Sequence, residues 1–276
     1  MIPSSFTYQK ASSVEEAIKA LSSPDAKLLG GGHSLIPTMK LRLNQPSKLV
    51  DIGSIAALRG IKEGGSEIII GASTTHQEVA TNKIIQTKLP VVAQGAAAIG
   101  DIQVRNKGTI GGSLAHADPS ADWAAVVLAT DATLAVQGSK GSRKIKATDF
   151  FKGMFSTALQ EGEIITAIHI PVTAGSKSAY VKFPQPASRF AIVGCAVVKN
   201  DEGKINIAYT GVSNYPFRDA AAEKVLTGKK LDAATIQAAC NAAAESMNIL
   251  EDHYASQKYR KHLAKVYLKR ALTAIA

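Results

Sequence analysis

Two short stretches combine bare backbone with hydroxyl and imidazole groups at a spacing suited to holding an anion. Residues 28–35 read LLGGGHSL, so that Leu28 and Leu29 lead into Gly30, Gly31 and Gly32, followed by His33, Ser34 and Leu35. Residues 109–113 read TIGGS, with Thr109 before Gly111, Gly112 and Ser113. Glycine brings no side-chain chemistry and costs backbone entropy to order. What it brings is unobstructed N–H groups. A diphosphate carries two negative charges and needs many donors at close range. Consecutive amides entering a helix supply them, where a β-carbon would block the approach. A tight turn also uses glycine, but two such loops, each leading into a helix, favour a pair built around an anion.

Other chemistries lack their residues. A G-x-G-x-x-G fingerprint starting at Gly30 would need glycine where Leu35 stands, and neither Gly-Lys-Ser nor Gly-Lys-Thr occurs. The GGSLA around Ser113 lacks the last glycine of a nucleophile elbow. His116 and Asp118, close by, read as loop structure rather than a proton relay. The histidines at 33, 76, 116, 169, 253 and 262 show no metal-ligand spacing. Cys195 and Cys240 are the only cysteines, each in an apolar or alanine-rich stretch, and read as buried small hydrophobes. Two cysteines cannot make a disulfide framework, a cysteine-held zinc site or an iron–sulfur cluster within this chain alone.

These loops need elements to position them. The helix signal SSVEEAIKAL opens with Ser13 and Glu16 as a capping box, AKLL reads as a strand entering the glycines, and SKLVDI as the next strand. A hairpin follows around Gly64-Gly65, then TTHQEVATN as a helix capped by Thr75 and Glu78, and LPVVAQGAAAIG as an apolar helix with Pro90 at its start. The second loop leads into the apolar helix WAAVVLAT. Strands ATLAVQ, RKIKA and IITAIHIP close this region, and VTAGSKSA reads as a linker. Beyond it, YVKFP, FAIVGCAVVKN and KINIAYTGV predict three strands, and everything from FRDAAAEKVLTG onward reads as helical. The order is mixed rather than strictly alternating, which argues for α+β. The expected domains are 1–175, with lobes of about 1–55 and 56–175, and 176–276, a three-stranded antiparallel sheet packed with helices.

The 276 residues are 46% hydrophobic and 20% charged, an ordinary globular composition. No run approaches the ~18 apolar residues of a membrane span. The start, MIPSSFTYQK, lacks a signal-peptide pattern, so a cytoplasmic location is expected. The formal charge of +10 could attract nucleic acid, an anionic cofactor or acidic subunits. Aromatics are only 5%, and the densest basic stretch, Lys258 to Arg270, reads as a solvated amphipathic helix, against nucleic acid.

KLLGGGHSLIPTMKLRL together with NKGTIGGSLAHADPSADW resembles the FAD-binding medium subunit of the molybdenum hydroxylases. This group includes the flavoprotein subunit of aerobic carbon monoxide dehydrogenase and the flavin domain of xanthine dehydrogenase. FTYQKASSVEEAIKAL, EIITAIHIP, AYVKFPQPASRFAIVGCAVV and YRKHLAKVYLKRAL extend the resemblance over nearly the whole chain. It implies a two-lobed, PCMH-like FAD-binding domain. Leu28 to Leu35 would run along the FAD diphosphate, and Thr109, Gly111, Gly112 and Ser113 would close on it from the other side. Asp122 would hydrogen-bond the cofactor, Ile99 and Gly100 line the flavin ring, Ile165 and Lys182 make later contacts, and Phe190 cover the ring. FAD would be bound without a covalent link, although a histidine such as His33 carries it covalently in some stand-alone flavin oxidases of the superfamily. Molybdopterin would sit in a large partner subunit and two two-iron, two-sulfur clusters in a small one, in a dimer of heterotrimers that passes electrons to an external acceptor. The alternative is a stand-alone FAD oxidase or reductase of the same superfamily.

Overall fold

A computed structural model describes residues 2–276. The first lobe is a small parallel sheet of β1 (Thr7–Lys10), β2 (Ala26–Leu29) and β3 (Lys48–Asp51) in the order β1-β3-β2. The crossovers are α1 (Val14–Leu21) and α2 (Leu35–Lys40). Ser13 caps α1 by accepting from the Glu16 amide, but the Glu16 carboxylate reaches back to the Ser12 amide and hydroxyl, so the expected box is only half formed. Val14, Ala17 and Ala20 of α1 pack on Val50 and Ile52, with Ile164 from the second lobe closing that core.

The second lobe carries β4 (Ile61–Glu63), β5 (Glu67–Gly71), α3 (His76–Thr81), α4 (Lys83–Lys88), α5 (Pro90–Ala98), α6 (Ile102–Arg105), α7 (Ile110–His116) and α8 (Asp122–Ala129). It continues with β6 (Thr133–Gly138), β7 (Gly141–Lys146), α9 (Ala147–Phe150), a short hairpin of β8 (Phe151–Gly153) and β9 (Ser156–Thr157), and β10 (Ile164–Pro171). Five of these strands form an antiparallel sheet in the order β4-β5-β10-β6-β7. Thr75 and Glu78 make a complete capping box on α3. All eight residues of α8 are buried, which accounts for its uninterrupted apolar sequence.

The C-terminal part departs from the expected three strands. β11 (Lys177–Pro184), β12 (Ala191–Lys199), β13 (Ile205–Thr210) and β14 (Phe217–Arg218) form a four-stranded antiparallel sheet in that order. Phe217 and Arg218, read as the start of a helix, pair instead with Tyr209 and Ala208. A two-residue strand has no periodicity to betray it. β11 likewise begins inside the stretch read as a linker. The helices α10 (Ala220–Leu226), α11 (Ala233–Ala242) and α12 (Gln257–Ile275) follow. β12 is sandwiched between α12 and α8, so its apolar run AIVGCAV is buried on both faces. Tyr180, Ala196 and Ala208 from this sheet join the core of the second lobe, fastening the two parts together.

Candidate functional site

Where the lobes and the C-terminal part meet lies a cavity of about 680 Å³. Four connections build its walls: β2 to α2, β5 to α3, α6 to α7, and the run before α8. The turn between β11 and β12 supplies Ser188, Arg189 and Phe190 at the rim, where Phe190 is 41% exposed.

The first glycine loop leaves its amides free. The N–H groups of Gly31, Gly32, His33, Ser34 and Leu35 donate to no acceptor among the described residues. Each glycine has its own reason. A β-carbon on Gly31 would overlap the Lys107 carbonyl oxygen and lie 2.7 Å from the Gly108 Cα, because here the two loops cross in contact. Gly32 has φ +73°, in the left-handed region that glycine tolerates. Beside them, Thr109 Oγ1 accepts from the Gly112 amide at 3.2 Å, and a β-carbon on Gly30 would come within 3.3 Å of it.

The second loop is built differently from the expectation that its amides also face an anion. Gly111 N–H donates to Ala72 O at 2.8 Å, Ile110 N–H to Thr74 O, and Ser113 N–H to Thr109 O. A β-carbon on Gly111 would sit 2.5 Å from the Ala72 Cβ and 2.8 Å from its carbonyl oxygen, and its φ is not positive. Gly111 is therefore bare so that α7 can dock against the end of β5.

Asp122 opens α8 and is 4% exposed. Its carboxylate accepts from Tyr180 Oη at 2.5 Å and from Lys182 Nζ at 2.8 and 3.0 Å, while Lys182 also donates to Ala98 O at 2.7 Å. Burial pushes the Asp122 carboxyl up and the Lys182 ammonium down, and each resists the other's shift through their ion pair. Behind this pair, Thr210 Oγ1 donates towards Pro119 O and Ala121 O, and Gly211 N–H donates to Pro119 O. Buried Arg260 of α12 holds Gly211 O and Ile192 O at 2.6 and 2.7 Å, so the C-terminal part grips the run that aims Asp122. Arg105 fixes the opposite wall by donating to Ile99 O and Gly100 O at 3.0 and 3.2 Å.

Of the residues singled out in the sequence, Leu28, Gly30 to Leu35, Ile99, Gly100, Thr109, Gly111, Gly112, Ser113, Asp122, Ile165 and Phe190 line the cavity. Leu29 lies beside it within β2, and Lys182 reaches it only through Asp122. Sequence reasoning passed over Ser73 and His76, which also line it, and Phe155; His116 and Asp118, read as loop structure, line it too, with the His116 ring tilted against Phe155 at 5.1 Å. The signal for the first pair was present as a polar STTH run directly after the apolar strand IIIGA, masked by a capping reading of the same residues. Cys195 and Cys240 are buried in the C-terminal core, where burial pushes both thiols up.

Residues 4–173 match the family described as the FAD binding domain in molybdopterin dehydrogenase, and residues 178–275 match the CO dehydrogenase flavoprotein C-terminal domain. The chain belongs to the FAD-binding medium subunits of the molybdenum hydroxylases. It is 41% identical to the carbon monoxide dehydrogenase medium chain of Hydrogenophaga pseudoflava, covering 99% of this chain and 98% of that one. It is 37% identical to the glyceraldehyde dehydrogenase medium chain of Sulfolobus acidocaldarius, over the full length of both. A solved structure of the carbon monoxide dehydrogenase of H. pseudoflava superimposes with a TM-score of 0.95 at 42% identity, covering 100% of this chain and 98% of that chain. FAD is the cofactor of this family, and the medium-subunit cavity fits it: residues 31–35, whose amides are unpaired among the described residues, line it together with apolar Ile99 and Ile165, and Phe190 lies at its rim.

Proposed function

We propose that this chain is the electron-transfer subunit of a three-component molybdenum hydroxylase, working in the cytoplasm as part of a dimer of heterotrimers. FAD, when bound, accepts electrons from iron–sulfur clusters of a small partner subunit and passes them to an external acceptor. A large molybdopterin subunit would oxidise the substrate. The observation that carries this reading is the free amide run 31–35 facing a cavity of about 680 Å³ in a chain matched over its length by FAD-binding medium chains.

The chain's own tasks are binding and orientation. Amides of Gly31, Gly32, His33, Ser34 and Leu35, with the Ser34 hydroxyl, would neutralise the diphosphate, and Gly30 and Leu28 to Leu29 would hold that loop in register. Thr109, Gly112 and Ser113 would close the second side, and Gly111 would keep that side docked. Ile99, Gly100 and Ile165 would pack along the flavin, Asp122 would accept from it under the control of Lys182, and Phe190 would shield the open edge. His33 keeps Nδ1 3.0 Å from the Gly31 carbonyl oxygen, and the match of residues 4–173 to the molybdopterin dehydrogenase FAD-binding domain supports a non-covalent cofactor. The two medium-chain relatives belong to dehydrogenases named for glyceraldehyde and for carbon monoxide, which supports a substrate read by another subunit.

The test is anaerobic bleaching of the flavin after aldehydes, purines, aromatic heterocycles or carbon monoxide are added. The isolated chain loaded with FAD should stay yellow with every one of them, and adding the molybdenum and iron–sulfur subunits should allow one of them to bleach it. Rapid bleaching of the isolated chain would replace the subunit reading with a stand-alone oxidoreductase.

A further inference from the structure

The connection from β5 to α3 places two donors with nothing to donate to against the cavity. Ser73 is 4% exposed and His76 is 5% exposed, and both line the cavity wall. The Ser73 hydroxyl is buried with no hydrogen-bond partner among the described residues. His76 has one partner, the indole of buried Trp123, whose Nε1–H donates to His76 Nδ1 at 3.0 Å. An indole can only donate, so Nδ1 must be the bare nitrogen and the proton of a neutral ring must sit on Nε2. That Nε2–H has no acceptor among the described residues, and it lies against the second glycine loop: a β-carbon on Gly108 would come 2.6 Å from it. A buried donor left without an acceptor, as the Ser73 hydroxyl is, costs about 1–3 kcal/mol, so a chain that keeps it beside the unpaired His76 Nε2–H in one wall is expected to meet their acceptor in the bound state.

We propose that Ser73 Oγ–H and His76 Nε2–H are cofactor-binding donors that hold a phosphoryl oxygen of FAD from the side opposite the free amides of residues 31–35. This rests on the FAD reading and adds to it a second wall of the diphosphate site. It also fills a gap the structure exposes, since Gly111 and Ser113 spend their amides within the protein. Trp123 acts as a positioning residue that fixes the tautomer. Burial first, then the nearby His33 and Arg105, push the His76 pKa down to about 3, which keeps the ring a neutral donor across the physiological range.

The experiment uses the full chain and compares three ligands: FAD, ADP and riboflavin, the last having no phosphate. In wild-type protein labelled with 15N-histidine, the His76 Nε2–H signal should move downfield with FAD and with ADP but stay in place with riboflavin. Ser73→Ala removes only the unpaired hydroxyl and should weaken FAD by about tenfold, the worth of one hydrogen bond to a charged group, while riboflavin binding is unchanged. His76→Phe should weaken FAD by at least as much, and His76→Gln, which can both accept from Trp123 and donate, should recover part of it. If Ser73→Ala binds FAD with wild-type affinity and the His76 signal ignores ADP, the proposal is wrong although FAD still binds. A wild-type chain that binds no FAD at all would instead sink the flavoprotein reading.

Discussion

His76 makes the second lobe labile to acid by an amount that can be worked out. Its pKa is pushed from the ordinary 6.5 to about 3 by burial, with His33 and Arg105 contributing. A histidine depressed in the folded state is neutral in both states above pH 6.5, so nothing is lost there. Below that, the unfolded chain takes up a proton that the folded chain refuses, and stability falls by up to about 1.4 kcal/mol per pH unit until the folded pKa near 3 is reached. Between pH 6 and pH 4 the His76 share comes to about 2–3 kcal/mol. Trp123 is the only tryptophan in the chain and is bonded directly to His76, so its fluorescence reports unfolding of this lobe. Urea titrations of flavin-free wild type and His76→Phe at the two pH values isolate this share from every other titrating group. The variant starts lower, because the indole loses its acceptor, but should lose about 2–3 kcal/mol less between pH 6 and pH 4. Parallel decline of the two proteins would refute the buried, neutral imidazole.

Two further substitutions probe how the cavity is built. Lys182→Met leaves the Asp122 carboxylate buried without its cation and should cost about 3 kcal/mol in urea unfolding, most of it recovered when Asp122→Asn is added, because the charge is then gone as well. Gly111→Val should abolish FAD binding with loss of the α7 contact to Ala72, costing about 1–3 kcal/mol even without cofactor. The C-terminal part should stay folded by hydrogen exchange, whereas unchanged flavin-free stability would return Gly111 to the role of a simple turn.

The glycine loops were legible because a local pattern and its chemistry coincide: GGGHS and TIGGS mark bare amides before helices whatever the rest of the chain does. Which glycines serve the ligand was not legible. Gly31 and Gly111 look alike in the sequence, and only the crossing of two loops and the docking of α7 on Ala72 tell them apart. The same holds for Lys182, whose reach to Asp122 spans sixty positions and is set by how β11 packs on α5, which in turn packs on α8. The helices α5 and α8 were plain from apolar runs and Pro90, because burial on all sides writes itself into composition. β14 was invisible, since two residues acquire strand geometry only from the neighbour they pair with. Ser73 and His76 were hidden by a competing local explanation, the capping of α3 by Thr75 and Glu78, which is real and occupies the residue between them.

The central claim is that the cavity between the two loops holds one FAD by non-covalent contacts. Titrating the flavin-free chain with FAD, then precipitating the complex with acid, tests it directly. One equivalent should bind with an altered flavin spectrum, and all of the yellow colour should return to the supernatant. Absence of saturable binding, or flavin retained in the pellet on His33, would contradict the account.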